Sequence, residues 1–462
     1  MTVRLFDTST RTLRDFIPLQ PGKVLMYNCG PTVYNYAHIG NLRAYVFADI
    51  LRRTLEADGL QVKQVINITD IGHLVGDGDE GEDKMTAALK REGRPLTKEA
   101  MREVGDFYTD AFVRDLDALN IKRPALMPKA SDHIAEDIIL ITTLLESGAA
   151  YTTHDGIYFD TTTFPTYPDF AKLDIEGMQA GARVAMGEKK SATDFALWKL
   201  NDVLGYDAPF GKGFPGWHIE CSAMIQKHLG HPIDIHTGGV DHIPVHHTNE
   251  IAQSESAYGA PFVKTWMHSA HMTVDGEKMS KSLGNTYTLQ DLTLQGIAPL
   301  AFRYWLLTAS YRTQVNFTWE ALGGAQTSYN RVRARIYHLK HADESNTPSS
   351  LLQFNVEKKY LHDDIDTPSA ISTINSILSM ESVQPSLRLE QIKEIDEVLG
   401  LQLFDYVPEE IIITPELALL LEARKNARSM KNYPESDRIR DEIKKLGYEV
   451  KDAVDGQQLE NI

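Results

Sequence analysis

The chain contains 462 residues, of which 42% are hydrophobic and 24% are charged, and its formal net charge at pH 7 is −17. Such a composition predicts a globular protein with two to four domains. The negative charge excludes a surface that attracts nucleic acid everywhere, so any nucleic-acid contact must use a local group of lysine and arginine side chains.

The first sixteen residues, MTVRLFDTSTRTLRDF, carry charges where a signal peptide is apolar, and no later stretch has the length of a membrane span. We therefore expect a cytoplasmic protein that does not contact membranes. Its two cysteines, Cys29 and Cys221, lie far apart in the sequence. In a reducing compartment such cysteines are expected to be free, metal-bound or catalytic rather than disulfide-bonded.

A strand, a helix and a second strand follow one another early in the chain. The run GKVLMYNCG over 22–30 predicts the first strand, LRAYVFADILRRTLEADG over 42–59 the helix, and LQVKQVINITD over 60–70 the second strand. This order is typical of a parallel sheet with helices on its faces. Ligands bind such sheets beyond the carboxyl ends of the strands, where we expect Cys29 and His38.

The α/β pattern is interrupted after residue 120 by short strands and turns, is resumed by a strand that ends in a glycine-rich turn, and gives way to helices from about residue 300. The predicted fold class is α/β: a Rossmann-like parallel-sheet catalytic domain with an insertion, followed by a helical bundle and a small C-terminal domain. The predicted bounds are 1–120 for the first half of the catalytic domain, 121–210 for the insertion, 211–260 for the second half, 261–310 for a junction, 311–400 for the bundle and 401–462 for the C-terminal domain.

Four potential metal ligands come from distant segments: Cys29, Cys221, His246 and Glu250. Two thiolates, an imidazole and a carboxylate would suit zinc, and the spacing of four places His246 and Glu250 on one face of a predicted helix. Taken singly, such residues are more often structural, because free cysteines are mostly buried and a histidine and a glutamate at this spacing usually face solvent. His247 competes with His246 for the imidazole position.

The segment GEKMSKSLGN over 276–285 carries Lys278 and Lys281 on a short loop between glycines. Two ammonium groups on such a loop are suited to gripping the phosphates of a ligand, although most short basic loops are only solvated surface. In the segment HIGN, Gly40 would let a ligand approach the backbone closely at a turn that opens a helix.

Together these motifs resemble the class I aminoacyl-tRNA synthetases, and within that class they are most similar to the cysteinyl-tRNA synthetase family. The likeness is carried by the segments YNCGPTVYNYAHIGNLR, NITDIG, LDALNIKRP, GARV, DFALWK, PGWHIECSAM, DIHTGGVDHIPVHHTNEIAQSE and VDGEKMSKSLGN. These segments occur in the family's order and at similar spacing from residue 1 to about residue 320. The likeness continues more faintly through LHDDIDTPSAI and the basic C-terminal helices.

The resemblance implies an enzyme that uses ATP to attach L-cysteine to tRNA(Cys) through a cysteinyl-adenylate. It implies one zinc ion per chain that binds the thiol of the substrate, and Mg²⁺ that enters with ATP. Serine differs from cysteine by one atom, and apolar packing separates such near-isosteres by only about 1–3 kcal/mol, so a soft metal would supply the selectivity. The implied zinc ligands are Cys29, Cys221, His246 and Glu250. The implied partners are tRNA(Cys), ATP and L-cysteine, and we expect a monomer.

The resemblance also assigns roles to the other motif residues. Thr69 and Trp217 would line the cysteine pocket, the junction over 261–310 would carry the KMSKS loop, and the C-terminal domain would bind the anticodon. The residues implied to act in catalysis by positioning and charge stabilisation are His38, Asn41, Lys278 and Lys281. The residues implied to bind ATP are His38, Gly40, Gly238, Gly239, Asp241 and Lys281.

Three features depart from the commoner family pattern. Asn41 stands in place of a histidine, which keeps a hydrogen-bond donor but no titratable ring. The acidic segment over 72–85 is longer than usual, and we expect it to be a solvated loop. The chain also ends DGQQLENI, without the Trp-Arg ending often seen in the family.

Two other functions stay open: a cysteine ligase that acts on an amino sugar, as in mycothiol synthesis, and a non-catalytic paralogue that binds tRNA. The amino-sugar ligase lacks a C-terminal anticodon module, and the intact KMSKS lysines argue against the paralogue. The tRNA enzyme is favoured by basic side chains that alternate with apolar ones in the C-terminal domain, namely Arg424, Lys425, Arg428, Lys431, Arg438, Lys444 and Lys445.

Overall fold

The computed structural model describes residues 2–71, 84–173, 188–280, 283–342, 357–408, 413–453 and 456–461. The chain divides into two compact units, Met1–Phe404 and Asp405–Ile462. Leu401 and Leu403 belong to the first unit, because their backbone N–H groups donate to the buried carboxylate of Asp396. The acidic segment predicted to be a solvated loop lies outside the described residues from position 72 to position 83.

The first unit begins with a hairpin that was not predicted, followed by the predicted strand–helix–strand unit. The elements up to residue 118 are β1 (Arg4–Asp7), β2 (Thr12–Asp15), β3 (Lys23–Asn28), α1 (Ile39–Ala57), β4 (Gln61–Ile66), α2 (Lys84–Arg91) and α3 (Lys98–Ala118). The next elements form the inserted region and are α4 (Ile134–Glu146), β5 (Ala150–Thr152), β6 (Gly156–Phe159), β7 (Phe195–Leu200) and β8 (Gly213–Pro215).

The catalytic domain then resumes and leads into helices. Its elements are α5 (Trp217–His228), β9 (Ile233–Gly239), α6 (Thr248–Tyr258), β10 (Val263–Ser269), β11 (Met272–Val274), β12 (Glu277–Lys278), α7 (Leu289–Leu294), α8 (Pro299–Leu307), β13 (Val315–Phe317), α9 (Trp319–Lys340), α10 (Thr367–Leu378) and α11 (Pro385–Leu399). The second unit contains α12 (Pro415–Ser429), α13 (Tyr433–Lys445), β14 (Tyr448–Ala453) and β15 (Gly456–Asn461).

The central sheet has four parallel strands in the order β10, β9, β3, β4. Tyr27 on β3 lies opposite His236 on β9, so the carboxyl ends of these two strands reach the same edge. Cys29 follows β3 directly, and Gly238 and Gly239 end β9. The order 10-9-3-4 places strands from the two halves of the catalytic domain side by side, which confirms the predicted parallel α/β fold and assembles one site from distant segments.

Helix α1 carries the HIGN motif at its first turn and is fixed from both ends. Near its start, the buried Arg43 guanidinium donates to the backbone oxygen of His271, 2.7 Å away. Near its end, the buried Asp49 carboxylate accepts from Arg53 at 2.8 Å and from Arg303 on α8 at 2.6 Å. The Asp49 carboxylate thus serves two guanidiniums, and Arg53 also donates to Glu397 O at 3.0 Å, so these contacts hold α1 against the junction and the bundle.

The inserted region forms its own antiparallel sheet, in the order β5, β6, β7, β8. The fourth strand ends at Pro215, directly before α5. A second hydrophobic core packs this sheet against α4, α5 and α6. The insertion is therefore joined closely to the helices that carry Cys221 and Glu250.

The second unit is a helical hairpin followed by a two-stranded sheet. Thr414 caps α12 with a side-chain oxygen that accepts from the backbone N–H of Leu417, and Pro415 occupies the first turn, which confirms the predicted helix start. Within the described residues, no helix is long and apolar enough to cross a membrane.

Candidate active site and metal centre

The four predicted metal ligands meet above the carboxyl edge of the central sheet. Cys29 lies just beyond β3, Cys221 lies on α5 and Glu250 on α6. His246 lies in a π-helical turn, Ile243–His247, that leads into α6. The predicted regular helix is therefore interrupted here, yet His246 and Glu250 still face each other across one turn, with His246 Nε2 2.8 Å from Glu250 Oε1.

The donor atoms of this group converge. Ligand atoms of Cys29, His246, His247 and Glu250 all lie within 4.8 Å of one another. Cys221 is not a member of that group, but its Sγ lies 3.6 Å from His246 Nε2. Cys29 Sγ in turn lies 3.2 Å from His247 Nε2. The structure thus groups Cys29, His246 and Glu250 with His247 and places the fourth predicted ligand, Cys221, beside His246.

Burial and mutual charge set the protonation of this group. The hydrogen bond from Cys29 lowers the pKa of Cys221 to about 6, against the effect of burial. Burial and then Cys221 raise the pKa of Cys29. Burial alone would lower the pKa of His246, but Glu250 and Cys221 raise it to about 10. At neutral pH these groups therefore provide a thiolate and a carboxylate against one imidazolium.

This arrangement fits a soft divalent cation. His246 Nε2 faces both Cys221 Sγ and Glu250 Oε1, and without a proton on that nitrogen three lone-pair donors would point at one another. Oxygen, nitrogen and sulfur donors that converge in a buried site are the set that zinc takes, and the metal would replace the proton. The residues present therefore fit zinc.

Four residues beside the metal site were not found from the sequence: Thr8, His218, His236 and His268. His236 Nε2 lies 2.9 Å from Glu250 Oε2, and His218 Nδ1 lies 2.9 Å from His246 Nδ1. These contacts hold two of the candidate ligands in place from behind.

A second chain of contacts leads to Cys29. His247 Nδ1 lies 2.8 Å from His268 Nε2, and His268 Nδ1 lies 2.7 Å from Thr8 Oγ1. Burial lowers the pKa of His247 and His268 well below the usual range, so both rings are neutral. The sequence did offer a signal for this cluster, because five of the sixteen histidines fall between positions 231 and 247.

Both residues predicted to line the cysteine pocket lie beside this cluster. The Trp217 ring stacks on the His246 imidazole with a centroid distance of 4.3 Å and an interplanar angle of 21°. The Thr69 hydroxyl accepts from Asn67 Nδ2 at 3.1 Å, and the Thr69 backbone N–H donates to Pro31 O at 3.0 Å. Thr69 is therefore held against the turn that follows Cys29.

The HIGN motif forms a capping box at the start of α1. The backbone N–H of Asn41 donates to His38 Nδ1, and the backbone N–H of His38 donates to Asn41 Oδ1, both at 3.2 Å. Because Nδ1 accepts, the proton of the His38 ring lies on Nε2. A Cβ atom at Gly40 would lie 3.1 Å from the His38 ring and 3.3 Å from Met279 Cε. Glycine therefore lets the first motif and the KMSKS segment approach each other.

The KMSKS segment lies beside His38. The backbone N–H of Ile39 donates to Tyr287 O at 2.8 Å, and His38 forms an isolated bridge with Thr288. Lys278 ends β12 and is exposed, whereas Lys281 lies outside the described residues. The structure thus brings Lys278 to the same side of the sheet as the HIGN motif.

The glycine-rich turn at the end of β9 lies at the same carboxyl edge of the central sheet. A Cβ atom at Gly238 would lie 2.6 Å from His242 Nδ1, and one at Gly239 would lie 2.2 Å from Asp241 Oδ1, so neither position accepts a side chain without movement. Asp241 itself is exposed, with 61% of its side chain accessible. These residues flank the metal site from the strand next to Cys29.

Comparisons with known proteins cover nearly the whole chain. The family model described as "tRNA synthetases class I (C) catalytic domain" matches residues 15–327, and the one described as "Cysteinyl-tRNA ligase anticodon binding domain" matches residues 413–459. The chain is 46% identical to cysteine–tRNA ligase 1 of Burkholderia lata, with 99% of this chain and 97% of the relative covered. The chain belongs to the cysteinyl-tRNA synthetase family. It is 39% identical to cysteine–tRNA ligase of Treponema denticola, with 98% of each covered.

Solved structures confirm the fold of this cysteinyl-tRNA synthetase family member. The chain matches methionyl-tRNA synthetase of Mycobacterium tuberculosis in complex with methionyl-adenylate with a TM-score of 0.56 at 14% identity, covering 82% of this chain and 90% of that one. A leucyl enzyme of Agrobacterium radiobacter gives a TM-score of 0.57 at 11% identity, with 84% of each covered. The catalytic domain therefore has the class I synthetase architecture.

Membership of this family makes the chain a class I cysteine–tRNA ligase, an enzyme that joins cysteine to tRNA with ATP. The predicted resemblance is confirmed. The match of residues 413–459 to the anticodon-binding domain does not favour the amino-sugar ligase, which lacks such a module, or the non-catalytic paralogue.

Proposed function

We propose that this ligase selects cysteine through one zinc ion held by Cys29, Cys221, His246 and Glu250. The observation that carries the proposal is the convergence of Cys221 Sγ and Glu250 Oε1 on His246 Nε2, at 3.6 and 2.8 Å. Bound zinc would stabilise the thiolate of cysteine, whereas the hydroxyl of serine is a far poorer ligand. Selectivity of this kind removes the need for an editing domain.

The imidazole ligand has two candidates. His246 is preferred because its Nε2 faces both a thiol and a carboxylate. His247 Nε2 faces Cys29 at 3.2 Å, while its Nδ1 contacts His268. His247 is therefore better suited to orienting Cys29, and Trp217, stacked on His246, to closing the pocket around the bound amino acid.

The chemistry is adenylation followed by transfer. The carboxylate of cysteine attacks the α-phosphorus of ATP, which releases pyrophosphate, and the 3′-terminal hydroxyl of tRNA then attacks the carbonyl carbon, which releases AMP. No protein nucleophile is needed, so the protein contributes positioning and charge. We assign Mg²⁺ to ATP, as the resemblance implies.

The residues proposed to surround the nucleotide have two roles: some bind it through hydrogen bonds or charge, and the glycines leave room for it. The capping box uses Nδ1 of His38 as an acceptor, so Nε2 carries the ring proton that we assign to the phosphates. Lys278 and Lys281 supply positive charge for the polyphosphate. Gly40, Gly238 and Gly239 leave room for the nucleotide, and Asp241, exposed beside them, is suited to accept hydrogen bonds from its ribose or amino group. Asn41 maintains the capping box.

The purified protein is expected to contain about one zinc ion per chain, because four donors of zinc type meet in one buried site. The measurement is elemental analysis of the full-length protein after dialysis against metal-free buffer. The test variant is His246→Gln, which should lose its zinc. The matched control is His247→Gln, which should keep it. A zinc-free active protein, or loss of zinc in the His247 variant alone, would contradict the ligand set.

Lys281→Ala is expected to slow pyrophosphate exchange by roughly tenfold while the affinity for cysteine stays near that of the unmodified protein. The reason is that the ammonium group contacts the polyphosphate in the transition state, where one charged hydrogen bond is worth about 1.5–3 kcal/mol. Lys393→Ala, at an exposed position on α11, serves as the matched control. An unchanged exchange rate in Lys281→Ala would remove this lysine from the mechanism.

The monomeric state and the cytoplasmic location stay predictions. A reducing compartment is supported by the contact between the Cys29 and Cys221 thiols, since oxidation would join them and remove two zinc ligands. Light scattering of the purified protein would give its oligomeric state.

A further inference from the structure

Three aromatic rings meet on the surface near the start of α1. Tyr36 and Phe107 are 43% and 52% exposed, and with Tyr433 they are the strongly exposed aromatic side chains among the described residues. The Tyr36 ring lies 6.1 Å from Phe107 and 5.1 Å from Tyr108, and Phe107 lies 5.1 Å from Tyr108, all edge to face. We call Tyr36, Phe107 and Tyr108 the aromatic platform.

The aromatic platform borders the adenylation site. Tyr36 lies two residues before His38, in a loop over 31–37. The backbone of this loop is bonded to Thr69, because Val33 N–H donates to Thr69 O at 3.0 Å. Phe107 lies on α3, one turn of which packs on the same loop: a Cβ atom at Gly105 would lie 3.6 Å from Val33. The platform therefore lies partly on the loop that leads into the HIGN motif and partly on the helix packed against that loop.

Basic side chains lie near the platform, although several of them are ion-paired. The Arg91 guanidinium donates to Tyr34 O at 2.8 Å and to Tyr108 Oη at 3.3 Å, is 44% exposed, and pairs at 3.0 Å with Glu92, whose carboxylate also accepts from Tyr108 Oη at 2.8 Å. Residues 84–102 contain six basic and two acidic side chains. The acidic groups at positions 103 and 106, which precede Phe107 on α3, are ion-paired with Arg94 and Lys129.

We propose that the aromatic platform stacks an unpaired base near the 3′ end of tRNA while the terminal ribose enters the adenylation site. The terminal hydroxyl must reach the adenylate beside His38, so we place the unpaired nucleotides before it on the neighbouring surface, where the loop over 31–37 carries Tyr36. Exposed aromatic faces next to cationic side chains are the features that bind single-stranded nucleic acid without reading its sequence. This inference rests on the tRNA-charging activity of the family and adds a contact for that substrate.

The test compares variants of Phe107 in the full-length protein. Phe107→Leu keeps the apolar volume but removes the π-face, and we expect the KM for tRNA in aminoacylation to rise at least fivefold, the lower end for loss of one stacked base. Phe107→Trp keeps a π-face, and we expect it to stay within twofold of the unmodified protein. Ile139→Ala, on α4 and 66% exposed, is the matched surface control and should change neither KM nor pyrophosphate exchange.

Pyrophosphate exchange with cysteine, which needs no tRNA, is measured in parallel, so a failure of the adenylation proposal is distinguishable from a failure of this one. A direct readout is tRNA carrying 2-aminopurine at its first unpaired 3′ position, whose fluorescence should be quenched by the unmodified protein and less by Phe107→Leu. A KM within twofold in Phe107→Leu, with equal quenching, would overturn the proposal. A dimer that dissociates on the same substitution would also overturn it and make the platform a contact between copies of the chain.

Discussion

Replacement of Cys221 by serine is expected to remove zinc and to lower cysteine-dependent pyrophosphate exchange by roughly a thousandfold, which corresponds to about 4 kcal/mol of lost stabilisation. Cys221 supplies the thiolate of lowest pKa, about 6, and its loss would leave one thiol, one carboxylate and the imidazoles. A serine hydroxyl stays protonated at neutral pH and is a poor zinc ligand. The measurements are zinc content and exchange rates with saturating ATP.

Cys29→Ser should behave in the same way, since the two thiols contact each other. The unmodified protein is expected to prefer cysteine over serine by roughly ten-thousandfold in exchange, the range that a dedicated polar or metal contact provides. His231→Asn is a suitable control, because that histidine contacts Ala260 O, away from the metal site. Full zinc occupancy in both serine variants would remove both cysteines from the ligand set, whatever their activity.

The parts of the fold that could be predicted are those specified locally. The strand–helix–strand unit follows from apolar spacing, and the start of α12 follows from Thr414 and Pro415, because capping uses neighbouring residues. Motif order then identified the family, and the resemblance supplied the four proposed ligands, with His247 as an open alternative to His246.

The contacts that could not be predicted join residues far apart in the chain. Thr8, His247 and His268 form one chain of contacts only because β10 pairs with β9 and the N-terminal hairpin packs nearby. The π-helical turn at His246 was likewise not predicted, since such turns occur singly within helices and frequently at functional sites. The sequence indicated which residue types could act in the site, whereas the hydrogen-bond partners of those residues depended on the fold.

The ion pairs of the basic C-terminal residues could not be predicted from the sequence either. Arg424 was expected among basic side chains available to tRNA, but it is buried and its guanidinium pairs with Asp452 at 2.9 Å, so that expectation was wrong. Arg428 also pairs with Asp452, at 2.9 Å, and Arg438 pairs with Glu435 and Glu442 on its own helix. In the second unit, the described basic side chains that are exposed and have no ion pair are Lys425, Lys431, Lys444 and Lys445.

Removal of residues 405–462 is expected to leave cysteine activation largely intact while tRNA charging falls about a hundredfold. The cut follows the division between the two units and keeps Leu401 and Leu403, whose N–H groups the Asp396 carboxylate accepts. Adenylation needs only the first unit, whereas four lysine–phosphate contacts of roughly 0.7 kcal/mol each would account for about 3 kcal/mol of tRNA affinity. The measurements are pyrophosphate exchange, charging rate and circular dichroism of the truncated protein.

A full-length variant with glutamine at positions 425, 431, 444 and 445 separates charge from the presence of the unit. This variant should lower the rate of tRNA charging, as the truncation does. It should also reduce the slope of tRNA affinity against salt concentration, because a protein with fewer phosphate contacts releases fewer counterions when it binds tRNA. Arg438→Gln is the matched control, since that guanidinium is already held by Glu435 and Glu442. If the folded truncated protein charges tRNA at the full-length rate, the second unit does not bind tRNA productively. If truncation abolishes charging but the glutamine variant keeps the full salt slope, recognition rests on base contacts in that unit rather than on its lysines.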